Sequence, residues 1–308
     1  VSRSPIAIGV DLGGTKIEAL ALDADGRELW RRRVPTPAGD YAGTLRAIRE
    51  LVASSGLREY TLGIGTPGSL AHDGRLKNSN STCLNGKPLQ ADLERELGMS
   101  VRIANDADCL ALSEATDGAG AGVETVFAVI LGTGVGGGIS VRGHVLRGPN
   151  GLAGEWGHNP LPWRDLEQDP ELECYCGQRG CIETLLSGTG LARDHAGRHG
   201  GSRTAAEIAA AASAGDAQAD ASLARFESRL ARALASVINL LDPGVIVLGG
   251  GVSRVERLYT NVPALWGAHV FCAGVPAPVR TRLVPSLHGD SSGVRGAAWL
   301  SATARAGA

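Results

Sequence analysis

Aromatic side chains are scarce in this chain. Trp, Tyr and Phe together make up 4% of 308 residues, and methionine occurs once. A core must therefore be aliphatic, and the 43% hydrophobic content can supply one. An excess of either charge is missing too: 30 Lys and Arg against 32 Asp and Glu leave a net charge of −2, which argues against a dedicated nucleic-acid binder with a basic domain. No apolar run reaches the length of about 18 residues that a membrane span needs, so no membrane partner is expected. The opening Val1-Ser2-Arg3-Ser4-Pro5 is too short and polar for a signal peptide. Six cysteines are too few for a disulfide scaffold. What is plentiful is glycine, 44 residues, which points to tight turns and backbone-lined ligand sites. The length suits roughly two domains.

The pattern is α/β. Pro5 to Val10, Lys16 to Leu22 and Glu28 to Val34 read as strands joined by tight turns, the second turn being Asp25-Gly26. The run Arg31-Arg32-Arg33 reads as a solvated edge. Ala42 to Ser54 has helical periodicity, Tyr60 to Gly65 is a strand ended by Thr66-Pro67-Gly68, and residues 69–87 are loop-like. A helix over Pro88 to Leu97, a short strand Val101 to Ala104 and a helix over Asp106 to Asp117 follow. The glycines at 118, 120 and 122 mark a joint, which divides the chain into lobes 1–118 and 119–308. The second half opens with a strand, Thr125 to Leu131, a Gly-Thr-Gly turn and a strand Gly138 to Val141, an echo of the first half. Residues 142–181 are loop-rich. Helices are expected over Ala205 to Ala212 and Asp220 to Leu241, the latter with an apolar face at Leu223, Phe226, Leu230, Leu234, Val237 and Leu241. Val245 to Leu248 is a buried strand, and a closing helix starts near Ser292.

Three glycine turns follow strands. In Asp11-Leu12-Gly13-Gly14-Thr15-Lys16 the exposed backbone N–H groups can cradle phosphate oxygens, and the Asp11 carboxylate can help hold Mg²⁺. The simpler reading is a plain hairpin turn. Gly132-Thr133-Gly134-Val135-Gly136-Gly137 has the G-x-G-x-x-G spacing, yet a strand follows where a dinucleotide fingerprint needs a helix. A second phosphate hairpin fits better. Gly249-Gly250-Gly251 sits between strand and helix and suits the nucleoside end of the same ligand. Asn105-Asp106 opens a helix. An Asp there is most simply an N-cap, but a carboxylate at a strand end can also take the proton of a substrate hydroxyl.

Cys174-Tyr175-Cys176, followed by Cys181 in a glycine-punctuated loop, has the composition of a tetrahedral Zn²⁺ site, with His158 as the nearest upstream fourth ligand. A redox site would want C-x-x-C, which is absent. Closed Cys₃His coordination makes the zinc structural, and thiolate ligands suit a reducing, cytoplasmic setting.

With these residues assembled, the chain resembles the ROK family of sugar kinases and repressors, from about Ile6 to Leu300. Gly157-His158 and Cys174 to Glu183 match the family's zinc pattern, and the glycine turns and Asn105-Asp106 fall in the family order. The resemblance implies a two-lobed ribonuclease-H-like fold of the actin/hexokinase type, with a structural zinc loop and a cleft between the lobes. It implies an enzyme that uses ATP and Mg²⁺ on a small-molecule sugar, and a homodimer. Asp106 would be the general base, with Gly68, Asn80, Asn105, Asp106, Glu155, His158 and Glu183 about the sugar. Asp11, Gly13, Gly14, Thr15, Lys16, Gly132, Thr133, Gly134, Gly136 and Gly137 would serve the phosphates and Mg²⁺, and Gly249, Gly250 and Gly251 the adenosine. The segments Asn78 to Gly86 and Gly154 to Trp163 resemble bacterial fructokinases of the manno(fructo)kinase type, so 6-phosphorylation of D-fructose is expected, with mannose second. N-acetylglucosamine and glucose are the alternatives within the family. A sugar-sensing repressor would need a helix-turn-helix domain ahead of Asp11, where this sequence has ten residues.

Overall fold

The computed structural model describes residues 6–79, 81–272 and 277–302. Among them, one compact unit takes the residues up to Gly122, Gly138–Ala153 and those from Asp290; the other takes Val123–Gly137 and Gly154–Gly289. The chain thus returns to the first unit twice after the 118–122 joint, and one division falls inside a strand, at Gly137/Gly138.

The first unit is built on a five-stranded sheet. Its strands are β1 (Ala7–Leu12), β2 (Lys16–Leu22), β3 (Glu28–Pro35), β4 (Thr61–Thr66) and, after the short hairpin β5 (Ser69–Leu70) and β6 (Leu76–Lys77), β7 (Val101–Asn105). The order is β3-β2-β1-β4-β7. β1, β2 and β3 run antiparallel, while β4 and β7 join β1 in parallel. Both faces are covered, which explains why β1 and β2 read as near-continuous apolar runs. On one face Ile8, Val10 and Ile17 pack with Leu45, Ile48 and Val52 of α1 (Tyr41–Ala53) and Leu89 and Leu93 of α2 (Leu89–Leu97). On the other, α3 (Asp106–Thr116) supplies Leu112 beside Ala7, Leu20 and Leu22.

The second sheet's strands are β8 (Thr125–Leu131), β9 (Val135–Val141), β10 (His144–Val145), β11 (Val245–Gly249) and β12 (Arg282–Pro285), in the order β10-β9-β8-β11-β12, with β10 and the end of β9 counted to the first unit. β11 runs parallel to both β8 and β12. Three consecutive strands followed by two parallel ones is the pattern of the first sheet, so the echo of strand, glycine turn and strand is a repeat of topology. The helices are α4 (Glu183–Leu186), α5 (Gly188–His199), α6 (Ala205–Ser213), α7 (Ala217–Leu241) and α8 (Leu258–Trp266). α7 starts earlier than the sequence indicated, because Asp216 accepts from the Gln218 and Ala219 N–H groups as its cap. Its buried stripe ends on Ile238 in place of Val237 and Leu241.

The last helix, α9 (Ser292–Ala302), belongs to the first unit. It lies directly on the first sheet because three positions carry no Cβ. A methyl group on Gly9 or Gly63 would overlap the α9 carbonyls of Val294 or Ala297, and one on Gly296 would overlap the Cys109 carbonyl of α3. The Arg31-Arg32-Arg33 run lies on the edge strand with Arg32 and Arg33 exposed. Arg31 and Arg33 also reach Glu18, at 2.6 and 2.8 Å, and Glu18 is only 1% exposed. No described helix is long and apolar enough to cross a membrane.

Candidate functional site

The parallel strands of the first sheet bring their C-terminal ends together. Asp11 pairs with Gly65, and Thr66 with Asn105, so Asp11, the Thr66-Pro67-Gly68 turn and Asn105-Asp106 share one edge of the sheet. This is the edge where open α/β sheets bind ligands. Asn105 is the N-cap of α3: its side-chain oxygen accepts from the Ala107 N–H at 2.8 Å, while its amide donates to the Gly68 carbonyl at 3.1 Å. The cap therefore falls to Asn105, and Asp106 is the first helical residue, its Oδ1 also accepting from the Ala107 N–H. Gly68 holds φ at +82° with its α-carbon against the Lys77 to Ser79 backbone, a place no side chain fits. Thr66 is buried and its hydroxyl donates to the Pro67 carbonyl. Asn80 lies outside the described residues.

Asp11 sits opposite Glu18 across β1 and β2. Its carboxyl is pushed up to about 6, by burial first, then by the charges of Asp106 and Glu18, against the pull of Lys16 and Arg33. Beyond it the turn closes through the Gly13 N–H on the Lys16 carbonyl at 3.0 Å. Thr36 donates to the Gly13 carbonyl at 2.7 Å. Gly14, Thr15 and Lys16 are exposed, and Gly14 and Thr15 border a hydroxyl-lined pocket of about 420 Å³ shared with Thr36, Ser81 and Thr82.

In the second unit two of the glycine turns converge. Gly132, Thr133 and Gly251 line one pocket of about 440 Å³ together with Gly188, Thr189, Thr204, Ala205 and Val252. Gly250 makes the approach possible: its φ is +82°, and a Cβ would lie 2.6 Å from the Leu131 carbonyl. Gly249 stays inside β11. The run Gly132–Gly137 divides its contacts. Gly134 faces the Glu183 carboxylate, which accepts from the Val135 N–H at 2.9 Å. Gly137 packs on Trp156, and Trp156 donates to the Gly136 carbonyl. Thr204 was legible as a helix start, since Thr204 and Glu207 form a capping box; its place beside Gly132 was not.

His158, Cys174, Cys176 and Cys181 gather with their ligand atoms all within 4.8 Å of one another. The Cys176 and Cys181 sulfurs are 3.7 Å apart, and the Cys174 sulfur is 3.6 Å from His158 Nδ1. A tetrahedron with Zn–S bonds of ~2.3 Å has edges of ~3.8 Å, and these two pairs stand close to that spacing. Burial pushes the Cys174 and Cys181 thiols up, Cys181 to about 12, and a bound cation is what would make them thiolates. The loop is closed by Gly177 N–H on the Cys174 carbonyl and Cys174 N–H on the Gln178 carbonyl. Tyr175 stands between two of these cysteines, and its hydroxyl is 3.1 Å from His158 Nε2. Nothing in the C-x-C spacing marks Tyr175, and the sequence reading passed over it.

Two sheets of one topology, each with a glycine turn after its central first strand, define the ribonuclease-H-like class of the actin and hexokinase folds. Comparison with known proteins narrows that class. An N-acetyl-D-glucosamine kinase of Yersinia pseudotuberculosis serotype O:3 is 40% identical over 301 residues, 95% of this chain and 97% of that protein. The crystal structure of a ROK hexokinase from Thermus thermophilus superposes with a TM-score of 0.85 at 32% identity, covering 98% of this chain and all of that one. A ROK family glucokinase from Streptomyces griseus, solved with glucose and AMPPNP, gives 0.78 at 30% identity over 97% of this chain and 99% of that one. The ROK family profile matches residues 7–304. The chain belongs to the ROK family.

Proposed function

We propose that this ROK-family sugar kinase transfers the γ-phosphoryl group of ATP to the 6-hydroxyl of a hexose. The observation that carries the reading is that β1 and β7 flank β4 in parallel, which brings Asp11 and Asn105-Asp106 to the same end of the sheet. Asp106 takes the proton of the sugar hydroxyl as its oxygen bonds to phosphorus, and the bond to the bridging oxygen of ADP breaks. Asp11 is the ligand for Mg²⁺, which when bound neutralises phosphate charge. The Gly13–Lys16 turn and Gly132–Thr133 hold phosphates through backbone N–H groups. The pocket between Thr133, Ala205 and Gly251 takes the nucleoside. Glu155, His158 and Glu183 bind the sugar. Zinc, held by His158, Cys174, Cys176 and Cys181, would fix the plane of the His158 ring.

For the acceptor, the segments 78–86 and 154–163 favour D-fructose, with mannose second. A specific observation favours a second reading: the Yersinia relative, 40% identical, bears the name N-acetyl-D-glucosamine kinase. The test is ADP release from ATP-Mg²⁺ with fructose, mannose, glucose and N-acetylglucosamine in turn. The highest kcat/KM is expected for fructose. A lead for N-acetylglucosamine or glucose overturns the acceptor and leaves the reaction standing; no sugar-dependent ADP release with any of the four overturns the reaction.

A further inference from the structure

One continuous stretch of chain, from Glu183 to Thr189, grips the glycine turn that follows β8. The Glu183 carboxylate accepts from the Val135 N–H at 2.9 Å. The Gly188 N–H donates to the Gly132 carbonyl at 2.7 Å. The Thr189 hydroxyl donates to the Thr133 carbonyl at 2.8 Å. A hydroxyl has one proton to give, and this bond takes it. The Ser187 hydroxyl, 2.9 Å from that of Thr189, is therefore the donor of the pair. Its own oxygen accepts from the Gly190 N–H at 3.0 Å, as the cap of α5. The protons thus run in one direction, from the α5 cap through Thr189 to the turn.

The consequence for the turn is geometric. In a planar trans peptide the carbonyl and the following N–H point to opposite sides. With the carbonyls of Gly132 and Thr133 drawn to the start of α5, the N–H groups of Thr133 and Gly134 are turned away from it. The Gly132 N–H closes the turn on the Gly134 carbonyl at 3.0 Å. Of the two bonds from α5, that of Gly188 is backbone and comes with the fold, while the other depends on the Thr189 side chain. Thr133 and Thr189 are both exposed. Water can satisfy an exposed carbonyl, so what the Thr189 bond adds is the direction of the peptide plane.

We propose that Thr189 is a positioning residue for ATP: its hydroxyl locks the peptide between Thr133 and Gly134 so that the Gly134 N–H is aimed at a phosphate oxygen. This rests on the nucleotide reading of the turn and of the pocket that Gly132, Thr133 and Thr189 share. An N–H already aimed loses no orientational freedom when the phosphate arrives, and its bond to a charged oxygen is of the stronger kind. Thr189 acts through the turn and leaves the nucleoside alone.

The test pairs Thr189→Val, which keeps the branched shape and removes the donor, with Thr189→Ser, which keeps the donor. The Kd for ATP is measured by titration calorimetry, and adenosine is measured as a competitor of ATP. ATP binding is expected to weaken about tenfold in the valine variant and to stay within about twofold of wild type in the serine variant. The adenosine inhibition constant is expected to be unchanged in both. An unchanged ATP Kd in the valine variant sinks the proposal. So does an equal loss for adenosine, since Thr189 would then touch the nucleoside itself, and so does a serine variant as weak as the valine one. Normal ATP binding by wild type with an indifferent valine variant removes this inference alone. A wild type that does not bind ATP, or on which adenosine does not compete with it, removes the nucleotide reading and this with it.

Discussion

Both sheets place a glycine turn after the strand at their centre, yet the two turns sit in opposite electrostatic surroundings. The turn after β1 is ringed by charge: Asp11, Asp106 and Glu18 on one side of the balance, Lys16 and Arg33 on the other. The turn after β8 opens on a pocket whose described lining is threonine, glycine, alanine and valine, and its nearest carboxylate, Glu183, is tied to the Val135 N–H. The same topology has been given different chemistry. A turn among carboxylates can hold a metal and move a proton; an uncharged, glycine-walled pocket can admit a flat, neutral group such as a nucleobase. The difference follows from which residues stand opposite each turn in the sheet, since Asp11 faces Glu18 across a β ladder.

Four substitutions test the contrast. Asp106→Asn carries the largest expected effect, because it removes the proton acceptor and leaves the shape. A fall in kcat of about a thousandfold with the sugar Kd near its wild-type value is expected; titration calorimetry and initial rates together check it. Cys176→Ser comes next. Metal analysis should give about one zinc per wild-type chain and much less in the variant, with a higher sugar KM because the His158 ring loses its anchor.

Asp11→Asn separates function from stability. The folded pKa of Asp11, about 6 against an ordinary 3.8, means that the folded state holds this proton more tightly than the unfolded chain. Above the folded pKa both states are ionised, and ionisation of the buried carboxylate costs folding about 3 kcal/mol at most. Below the unfolded pKa the cost vanishes. The variant is therefore expected to melt higher than wild type at pH 8, with the gap closing by pH 4, and to lose turnover. An equal or lower melting temperature at pH 8 would contradict the burial argument. The smallest expected effect is that of Gly251→Val. Open space surrounds this glycine, so the side chain enters the pocket without straining the backbone. A rise in the KM for ATP of about tenfold, with the sugar KM unchanged, is the expected split. A matching rise for the sugar would mean that the pocket takes something other than the nucleoside.

Several elements were legible because their signals are local. The three glycine turns, the strands before them, the Asp106 helix and the cysteine loop all follow from residues within a few positions of one another. The assignment of Asp106 as an N-cap was not safe locally, since Asn105 and Asp106 are both good caps and both accept from the Ala107 N–H; the extended backbone of Asn105, with the helix starting at Asp106, decides it. The glycines at 118, 120 and 122 suggested a joint, but nothing in the sequence indicated the return of residues 138–153 and of α9 to the first unit. The return of α9 depends on Gly9, Gly63 and Gly296, where a side chain would overlap the facing backbone, and a glycine's partner across a fold leaves no mark on its neighbours in the chain.

By itself, then, the order of residues determined the alternation of strands and helices, the backbone-lined turns and the donor set Cys174, Cys176, Cys181 and His158, because these rest on periodicity, turn chemistry and ligand type. Tertiary structure alone decided that Gly132 and Gly251 line one pocket, that Arg31 and Arg33 are bound to Glu18, that burial pushes the Asp11 carboxyl up, and that Tyr175 meets His158. Each of these is a contact or a field between groups far apart in the chain or aimed by the fold. Its strength depends on distance and burial, which spacing along the sequence does not encode.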